Sequence, residues 1–247
     1  VAEDEEGAVV AYAGLFPWHR EGWRRAEVVV SPRRRGQGLG SWLLGRLVGE
    51  AGRRGVGNLA AVAADGQAEA TGFLARHGFV PVTARLHMRL RPIVVPQVRE
   101  VVGYWVRLCG VEDSAGLAEV TNGAFGAGEA DAVGYREYLQ GAGVRVWGGE
   151  DEAGRLVGLC ELCCRHARID GSWVRSGHIA SLAVLPAHQG RGLGRWLLSC
   201  GVRASLEAGW PAVDLNVDRD NLAALHLYQE VGMRPLYAYT VYARALS

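Results

Sequence analysis

The sequence contains no lysine, so all 27 of its basic residues are arginine. A Walker A loop binds nucleotide phosphates through a Gly-Lys-Ser/Thr step, and the absence of lysine excludes that class of nucleotide-binding protein. An excess of either charge is also lacking, since 26 acidic residues leave a formal net charge of +1. Without a strong overall field, we expect neither nucleic acid nor a membrane surface as a partner.

Cysteine is scarce, and its spacing forms no disulfide framework. The five cysteines are an odd number. Cys160 and Cys163 form a CxxC pair, but they lie in an apolar run that predicts a strand, where residues i and i+3 point to opposite faces. We therefore predict that these cysteines pack in the interior and that the protein binds no metal. A redox or zinc site is the alternative.

Long apolar runs are absent as well. No stretch approaches the roughly 20 residues that a membrane-spanning helix needs. No secretory leader is visible, although the first residue is Val1. With 49% hydrophobic and 21% charged residues, the composition is that of a soluble globular protein. We expect a cytoplasmic protein with one large domain or two medium ones.

An internal repeat organises the chain. The run Gly36–Leu44 (GQGLGSWLL) recurs as Gly190–Leu198 (GRGLGRWLL), an offset of 154 residues. Self-similarity at a fixed offset indicates that one structural unit occurs twice. We predict an N-terminal domain at 1–92, a proline-containing linker at 93–100 and a C-terminal domain at 101–247.

The second copy combines strand and helix patterns. Apolar periodicity predicts strands at 104–109, 144–148, 156–165, 178–185, 212–217 and 236–243, and helices at 113–124, 132–140, 192–207 and 221–230. Several strands are neighbours in sequence, which predicts an α/β fold with a mixed sheet (α+β) and argues against regular βαβ alternation. By the offset, the first copy would begin about 50 residues before Val1, so we expect it to lack its N-terminal strand and helices.

A glycine-rich turn, Gln189–Gly194 (QGRGLG), lies between a predicted strand and an amphipathic helix. Glycine permits positive φ, and the free N–H groups at a helix start bind anions. With Arg191 and Arg195 adding positive charge, the turn predicts a diphosphate site. A plain strand-to-helix turn is one alternative. A dinucleotide fold with Asp214 on the ribose is another, but the GxGxG spacing and the position of Asp214 inside a strand argue against it.

The turn and the later run Leu215–Met233 (LNVDRDNLAALHLYQEVGM) together resemble the GNAT superfamily of N-acyltransferases. The resemblance covers both halves and is stronger in the second, where the two motifs stand at the family's separation. The layout resembles that of the mycothiol synthase type. The resemblance implies two tandem GNAT-like acyl-CoA N-acyltransferase domains, acetyl-CoA as the cofactor, and direct transfer of the acetyl group to a bound amine.

The resemblance also implies roles for individual residues. Tyr228 would protonate the departing thiolate, and Asn221 would contact the cofactor arm. The strand Leu182, Ala183 and Val184 would splay from its neighbour at a bulge and bind the pantetheine arm. Main-chain amides would hold the diphosphate along the turn residues Gln189, Gly190, Arg191, Gly192, Leu193, Gly194 and Arg195. The structural alternatives are a packing role for Tyr228 and a helix N-cap role for Asn221.

Two residues are candidates for the general base, which must take a proton from the attacking amine. Several family members carry a glutamate 11 residues before the Gln of the turn. In this sequence that position is His178, and the ordinary pKa of histidine suits the role. Glu161, on the neighbouring predicted strand, is the second candidate, and a structural histidine is the alternative for position 178.

The first copy keeps the turn and loses the acid and base. Its cofactor cradle would consist of Val28, Val29, Val30, Arg35, Gly36, Gln37, Gly38, Leu39 and Gly40. Leu74 stands at the position of Tyr228, and Arg24 at that of His178. Leucine cannot donate a proton and arginine is no base at neutral pH, so we predict that the first copy is catalytically inactive.

These observations together predict an N-acetyltransferase that uses acetyl-CoA and a small-molecule primary amine, as a monomer or a homodimer. The catalytic candidates are Tyr228, His178 and Glu161. Acceptor selectivity is expected around 125–138 and Trp147, where no charge pattern names a substrate. A non-catalytic acyl-CoA-binding or scaffold protein is the alternative.

Overall fold

The structure is a computed structural model that describes residues 1–18, 22–126 and 128–246. Its strands are β1 (Ala2–Glu3), β2 (Val9–Pro17), β3 (Trp23–Val30), β4 (Asn58–Ala64), β5 (Val80–Leu90), β6 (Tyr104–Leu108), β7 (Arg145–Asp151), β8 (Leu156–Ile169), β9 (Ser172–Val184), β10 (Val213–Asp218) and β11 (Arg234–Ala245). Its α-helices are α1 (Leu39–Arg53), α2 (Ala68–Arg76), α3 (Ser114–Phe125), α4 (Ala132–Leu139), α5 (Leu193–Glu207) and α6 (Leu222–Glu230). No helix of this described part is both long and apolar enough to cross a membrane.

The internal repeat is visible in the elements. Helices α1 and α5 are both 15 residues long and begin 154 positions apart, and the same offset separates the starts of α2 and α6. The glycine preceding each long helix is left-handed, with φ of 82° at Gly38 and 92° at Gly192. The prediction of two tandem copies with a mixed α/β fold is therefore confirmed.

The chain divides into two compact units, 1–85 with 237–247, and 86–236. The boundaries fall inside β5 and β11, which are the last strands of the two repeats. Each of these strands therefore contributes residues to both units. The domains at 1–92 and 101–247 divide the chain by repeat, and that division stays a prediction.

The first unit contains strands in the order β1-β2-β3-β4-β11. Strands β2 and β3 are antiparallel, β3 and β4 are parallel, and the β11 residues Tyr239–Ala245 run antiparallel to β4. Leu44 and Ala51 of α1, Leu59 of β4 and Leu74 of α2 are buried in its core. Burial of this apolar surface against the sheet is what holds the two helices in place.

The second unit contains strands in the order β5-β10-β9-β8-β7-β6. Strands β9 and β10 are parallel, whereas β6 to β9 form antiparallel pairs. One face of this sheet packs on α5 and α6 through residues such as Leu197 and Tyr228. The other face packs on α3 and α4 through residues such as Leu117 and Tyr135.

The hairpin of β8 and β9 is longer than the sequence predicted. The predicted strands ended at 165 and began at 178, but β8 continues to Ile169 and β9 begins at Ser172. Five of the ten added residues are exposed. These short segments mix polar and apolar residues without a clear alternation, so hydrophobic periodicity does not mark them as strand and the predicted strand limits were wrong at this turn.

Candidate active site

Strands β9 and β10 separate partway along their length. They are paired from Gly177 to Ile179, opposite Val213 to Leu215. On the other edge, the register of β9 against β8 shifts between Glu161 and Leu162, which leaves Ala180 as an extra residue in β9. Such a bulge bends a strand away from its neighbour. The parallel pair therefore opens at Ala180.

Beyond the bulge, β9 keeps its bonds to β8 and turns its other edge toward the gap. The Leu185 amide donates to Val157 O at 2.9 Å. Main-chain groups alternate in direction along an antiparallel strand, so Ala183 also faces β8, and Leu182 and Val184 face the gap. The resemblance had assigned all three residues of this strand to the pantetheine arm, and the alternation leaves Leu182 and Val184 as the two whose main chain faces the gap.

The glycine turn after β9 presents a row of amides. The first α-helical bond is donated by Trp196 N–H to Gly192 O at 3.1 Å, so the amides of residues 193–195 precede the helical ladder. Gly190 and Gly192 have φ of 74° and 92°, the left-handed region that glycine adopts without strain. These N–H groups and the helix dipole form a site suited to a diphosphate.

Gln189 performs a different task from its neighbours. Its amide donates to Pro186 O at 3.3 Å, and its side-chain Nε2 donates to Val184 O at 2.9 Å. Both contacts fix the turn to the end of β9. The prediction that Gln189 contacts the cofactor stays untested, but its geometry favours a structural role.

A contact that the sequence did not reveal holds Arg191. Its guanidinium donates to Tyr104 Oη at 3.0 Å and to Ala187 O at 3.2 Å, and Tyr104 Oη lies 2.9 Å from His188 Nδ1. Residues 97–102, which overlap the predicted linker, line a cleft of about 400 Å³ together with Arg191, Gly192 and Arg195. Strand β6, the first strand of the second repeat, thus orients the Arg191 guanidinium of the glycine turn. The two residues are 87 positions apart, and no local motif predicts their contact.

Tyr228 lies on α6 and is buried. Burial and the nearby Cys160 thiol raise the pKa of its hydroxyl, so the group keeps its proton at neutral pH. Cys160 is the residue of β8 that pairs with Leu182. No hydrogen bond from this hydroxyl is found among the described residues. The hydroxyl is therefore an uncommitted proton donor close to the strand edge that faces the gap.

Asn221 is the N-cap of α6. Its Oδ1 accepts a hydrogen bond from the Ala224 amide at 3.1 Å, which is the usual capping geometry. The structural alternative from the sequence is thus observed. A contact between Asn221 and the cofactor stays a prediction.

Glu161 lies beside the bulge, paired with Ser181, and only 9% of its surface is exposed. Tyr135 Oη of α4 donates to Glu161 Oε1 at 2.5 Å, and Thr121 Oγ1 of α3 lies 2.6 Å from the same Tyr135 oxygen. Burial raises the pKa of the Glu161 carboxyl, and the hydrogen bond from Tyr135 opposes this effect. A carboxyl with a raised pKa beside a reaction centre is suited to accept a proton.

His178 has a different environment from the one expected of a general base. It is buried in the middle of β9, between Cys163 of β8 and Asp214 of β10. Burial, with smaller contributions from Arg165 and His87, lowers its pKa to about 3. A group with this pKa is neutral at physiological pH and is a weak proton acceptor. Its assignment as the base stays a prediction with less support than that of Glu161.

A second polar pair lies on the far side of the gap. His87 Nδ1 of β5 lies 2.9 Å from Asn216 Oδ1 of β10, and Arg89 of β5 holds the buried Asp214 with bonds of 2.5 and 2.9 Å. The Asp214 carboxylate, which the dinucleotide alternative assigned to a ribose, is therefore engaged by Arg89. Because β5 ends the first repeat, these contacts link positions 125 or more residues apart, and sequence spacing gives no sign of them.

The first unit repeats only part of this site. Strand β3 pairs with β4 over Trp23–Arg25, and its register against β2 runs from Arg24 to Val30 without a shift. The strands part as in the second copy, but without the bulge. Arg35 Nε donates to Val30 O at 3.4 Å, in the place of the Gln189 contact. The glycine turn is thus preserved, while Leu74 is an apolar core residue.

The cysteines show no arrangement for chemistry in the described part of the chain. All five are free thiols. Cys160 is buried in the core that packs on α5, and Cys163 is partly exposed. No group of three or more His, Cys, Asp or Glu side chains in the residues that the structure describes could hold a metal ion.

One prediction concerns the buried carboxyl. A pKa of Glu161 that is higher in the folded than in the unfolded state means that the fold favours the protonated carboxyl. The contribution of this group to the free energy of unfolding is complete below its unfolded-state pKa and is lost as pH rises through its folded-state pKa. Glu161→Gln cannot ionise, so its free energy of unfolding relative to wild type should improve between pH 5 and pH 8. A folded-state pKa that lies one pH unit above the unfolded value corresponds to about 1.4 kcal/mol.

Denaturant unfolding at the two pH values measures this difference. The exposed Glu137→Gln on the neighbouring α4 is the matched control and should show no such trend. A relative stability of Glu161→Gln that falls with rising pH would contradict the assignment.

Comparisons with known proteins agree with this geometry. A sequence model described as the acetyltransferase (GNAT) family matches residues 117–233, and one described as an acetyltransferase (GNAT) domain matches residues 1–81. The chain is 32% identical to a mycothiol acetyltransferase of Rhodococcus erythropolis over 96% of its length and 82% of that protein. It is 29% identical to one of Mycobacterium leprae, over 96% and 80%.

Solved structures show the same fold. A GCN5-related N-acetyltransferase from Sphaerobacter thermophilus matches with a TM-score of 0.77 and 22% identity, covering 99% of this chain and 79% of that one. A tandem GNAT protein of the clavulanic acid biosynthesis pathway matches with a TM-score of 0.72 and 19% identity, covering 99% and 81%. The family models and the relatives in sequence agree with the tandem fold and with the splayed strand beside the amide turn. The chain therefore belongs to the GNAT family of acyl-CoA-dependent acetyltransferases.

Proposed function

We propose that the second unit transfers an acetyl group from acetyl-CoA to the primary amine of a small molecule, directly and within a ternary complex. The observation that carries the proposal is the gap between β9 and β10, which opens at Ala180 between the amide turn and Tyr228. The relatives named mycothiol acetyltransferase favour a small-molecule acceptor over a protein.

The residues present fit a coenzyme A thioester. The main chain of Leu182 and Val184 would bind the pantetheine arm as a strand would, and the amides of residues 190–195 would hold the diphosphate. An amide facing the gap can also stabilise the negative charge that develops on the thioester oxygen. The strand edge therefore both positions the donor and polarises its carbonyl.

Two protein groups handle protons in the proposed reaction. Glu161 accepts a proton from the amine, which must be neutral to attack. Tyr228 gives its hydroxyl proton to the departing sulfur and regains one from solvent, and the nitrogen loses its second proton to solvent as the amide forms. Glu161 points from β8 toward α4 on one face of the sheet, and Tyr228 lies on α6 against the other, so the reaction uses groups on both faces.

The test is a thiol-release assay with acetyl-CoA and a panel of primary amines, with mass detection of the acetylated product. Transfer to an amine supports the proposal. The alternative, a non-catalytic acyl-CoA-binding protein, predicts binding of acetyl-CoA without amine-dependent release of thiol.

His178→Asn separates the two candidate bases. Because the pKa of His178 is lowered to about 3, its titration lies below the working pH range. We expect kcat/KM within about threefold of wild type and an unchanged acidic limb of the rate–pH profile. Loss of that limb in His178→Asn would return the base role to the histidine. Loss of the limb in Glu161→Gln would support the Glu161 carboxylate as the base.

We also propose that the first unit is catalytically silent. Leu74 stands at the position of Tyr228 and Arg24 at that of His178, and neither can exchange a proton at neutral pH. Gly14, paired with Glu27, stands where the second copy has Glu161 paired with Ser181. Its glycine turn is intact, which supports a residual capacity to bind the cofactor's diphosphate.

A further inference from the structure

Glu161 differs from the other buried carboxylates of the described chain. Three acidic side chains are buried there: Asp151, Glu161 and Asp214. Arg155 lies 2.7 Å from Asp151, and Arg89 lies 2.5 Å from Asp214. No arginine or histidine of the described residues lies within 4.0 Å of Glu161. A buried carboxylate normally has a cationic partner, so the protein leaves this one without its counter-ion.

Its nearest neighbours are neutral hydroxyl groups. Tyr135 uses its proton on Glu161 Oε1 and is itself within hydrogen-bond distance of Thr121. Tyr138, one turn further along α4, has a buried hydroxyl without a hydrogen-bond partner in the described structure. Its ring centroid lies 6.5 Å from that of Tyr135, which bonds Glu161, so Tyr138 borders the same cluster. Buried polar groups are rarely left unpaired, and an unpaired one calls for a ligand or an ordered water.

The position of the cluster fits an acceptor. Glu161 is paired with Ser181, next to the bulge at Ala180 and one residue from Leu182, whose main chain faces the gap. Helices α3 and α4 cover this face of the sheet, opposite the face on which Tyr228 packs. A cation at Glu161 would therefore approach the thioester carbon from the side opposite the proton donor.

We propose that Glu161 and Tyr138 form the acceptor subsite, and that the acceptor binds there as a primary ammonium ion. The ammonium supplies the missing counter-ion of Glu161 and donates one N–H bond to its carboxylate. A second N–H bond goes to Tyr138 Oη, which pairs the buried hydroxyl. Tyr135 and Thr121 hold the carboxylate in place and act as positioning residues. The inference rests on the proposed acetyl transfer and assigns the residues that bind its acceptor.

The proton balance is complete with these groups. Glu161 takes one proton from the ammonium, and the freed nitrogen lone pair forms the C–N bond to the thioester carbon. The C–S bond breaks, and the sulfur takes the Tyr228 hydroxyl proton. The nitrogen loses its surplus proton to solvent, the Tyr228 oxygen regains one from solvent, and Glu161 releases its proton there as well.

The subsite also predicts what is rejected. A neutral alcohol of the same shape leaves the carboxylate without a counter-ion. A quaternary ammonium offers the charge without N–H donors, and its three methyl groups need room beside Tyr138. Both should bind far more weakly than the primary amine.

The experiment measures binding of primary amines to the full chain saturated with coenzyme A, by calorimetry. The panel pairs 2-aminoethanol, glucosamine and 1,4-diaminobutane with their alcohol and trimethylammonium analogues. We expect the tightest-binding amine to lose at least tenfold in affinity in Glu161→Gln and about threefold to tenfold in Tyr138→Phe. Glu137→Gln and Tyr12→Phe, both at exposed positions, are the matched controls and should bind as wild type.

The outcomes separate the inference from the proposed function. Unchanged amine affinity in both site variants, equal binding of the alcohol analogue, or no amine bound by wild type would overturn the subsite. If amines bind through Glu161 and no thiol is released, the subsite stands and the acetyl transfer fails. Coenzyme A affinity should stay constant across the variants, because a merely structural role would change it.

Discussion

Tyr228→Phe is expected to lower kcat by about 10²–10⁴, with the dissociation constant of acetyl-CoA within about twofold of wild type. The substitution removes one oxygen from a ring that stays in the same core. The hydroxyl has no bond to the described residues, so its loss leaves no buried partner unpaired. The effect should therefore fall on the transition state, where the sulfur needs a proton, and spare ground-state binding.

The pH profile provides a second test of the same role. Burial and Cys160 raise the pKa of the Tyr228 hydroxyl above its ordinary value of 10, so the acid form persists throughout the range in which the protein can be assayed. We expect wild type to show no alkaline limb from this group below about pH 10. An unchanged kcat in Tyr228→Phe would remove the acid role, and Tyr12→Phe on the exposed face of β2 is the control for the substitution itself.

Local spacing predicted the parts of this molecule that are made by neighbours in sequence. The glycine turn, the long helix after it and the offset of 154 residues all follow from short runs of residues. The left-handed glycines were expected because that turn demands positive φ. Tyr228 was singled out by the resemblance to the GNAT family; its buried position on α6 is observed, and its role as an acid stays a prediction.

Long-range contacts could not be predicted in this way. The bond of Tyr135 to Glu161 joins a helix and a strand 26 positions apart, and nothing in either segment announces it. The bulge at Ala180 exists only relative to β8, so the sequence of β9 alone does not place it. The family spacing identified position 178, but the burial that weakens its histidine as a base arises from three strands packed together.

The boundaries of the two compact units are another feature that sequence patterns do not predict. The repeat does not by itself tell which strands pair at the end of each copy. In the structure, β11 pairs with β4 of the first repeat, and the end of β5 belongs to the second unit. Two copies with similar strands can satisfy the same pairings within or between repeats, and sequence periodicity does not distinguish these outcomes. His87 and Arg89 enter the second unit by this route.

The chain offers a matched pair of variants for deciding which copy is active. Gly192→Asp and Gly38→Asp place a carboxylate at equivalent positions of the two turns, both with left-handed φ. Aspartate tolerates this conformation better than most residues, and an added Cβ meets nothing closer than 3.6 Å at Gly192 and nothing within 4 Å at Gly38. Both variants should therefore fold, and the difference between them should reflect ligand binding.

In Gly192→Asp, the carboxylate faces the row of amides that would hold the diphosphate, and like charges repel strongly where water is excluded. We expect kcat/KM for acetyl-CoA to fall by about 10²-fold, mostly through KM, and Gly38→Asp to stay within about twofold of wild type. Gly192→Asn, with the same shape and no charge, should recover most of the loss. Equal losses in Gly192→Asp and Gly38→Asp would show that turnover needs both turns. Leu74 leaves the first copy no proton donor of its own, so cofactor binding in that copy would then explain the result.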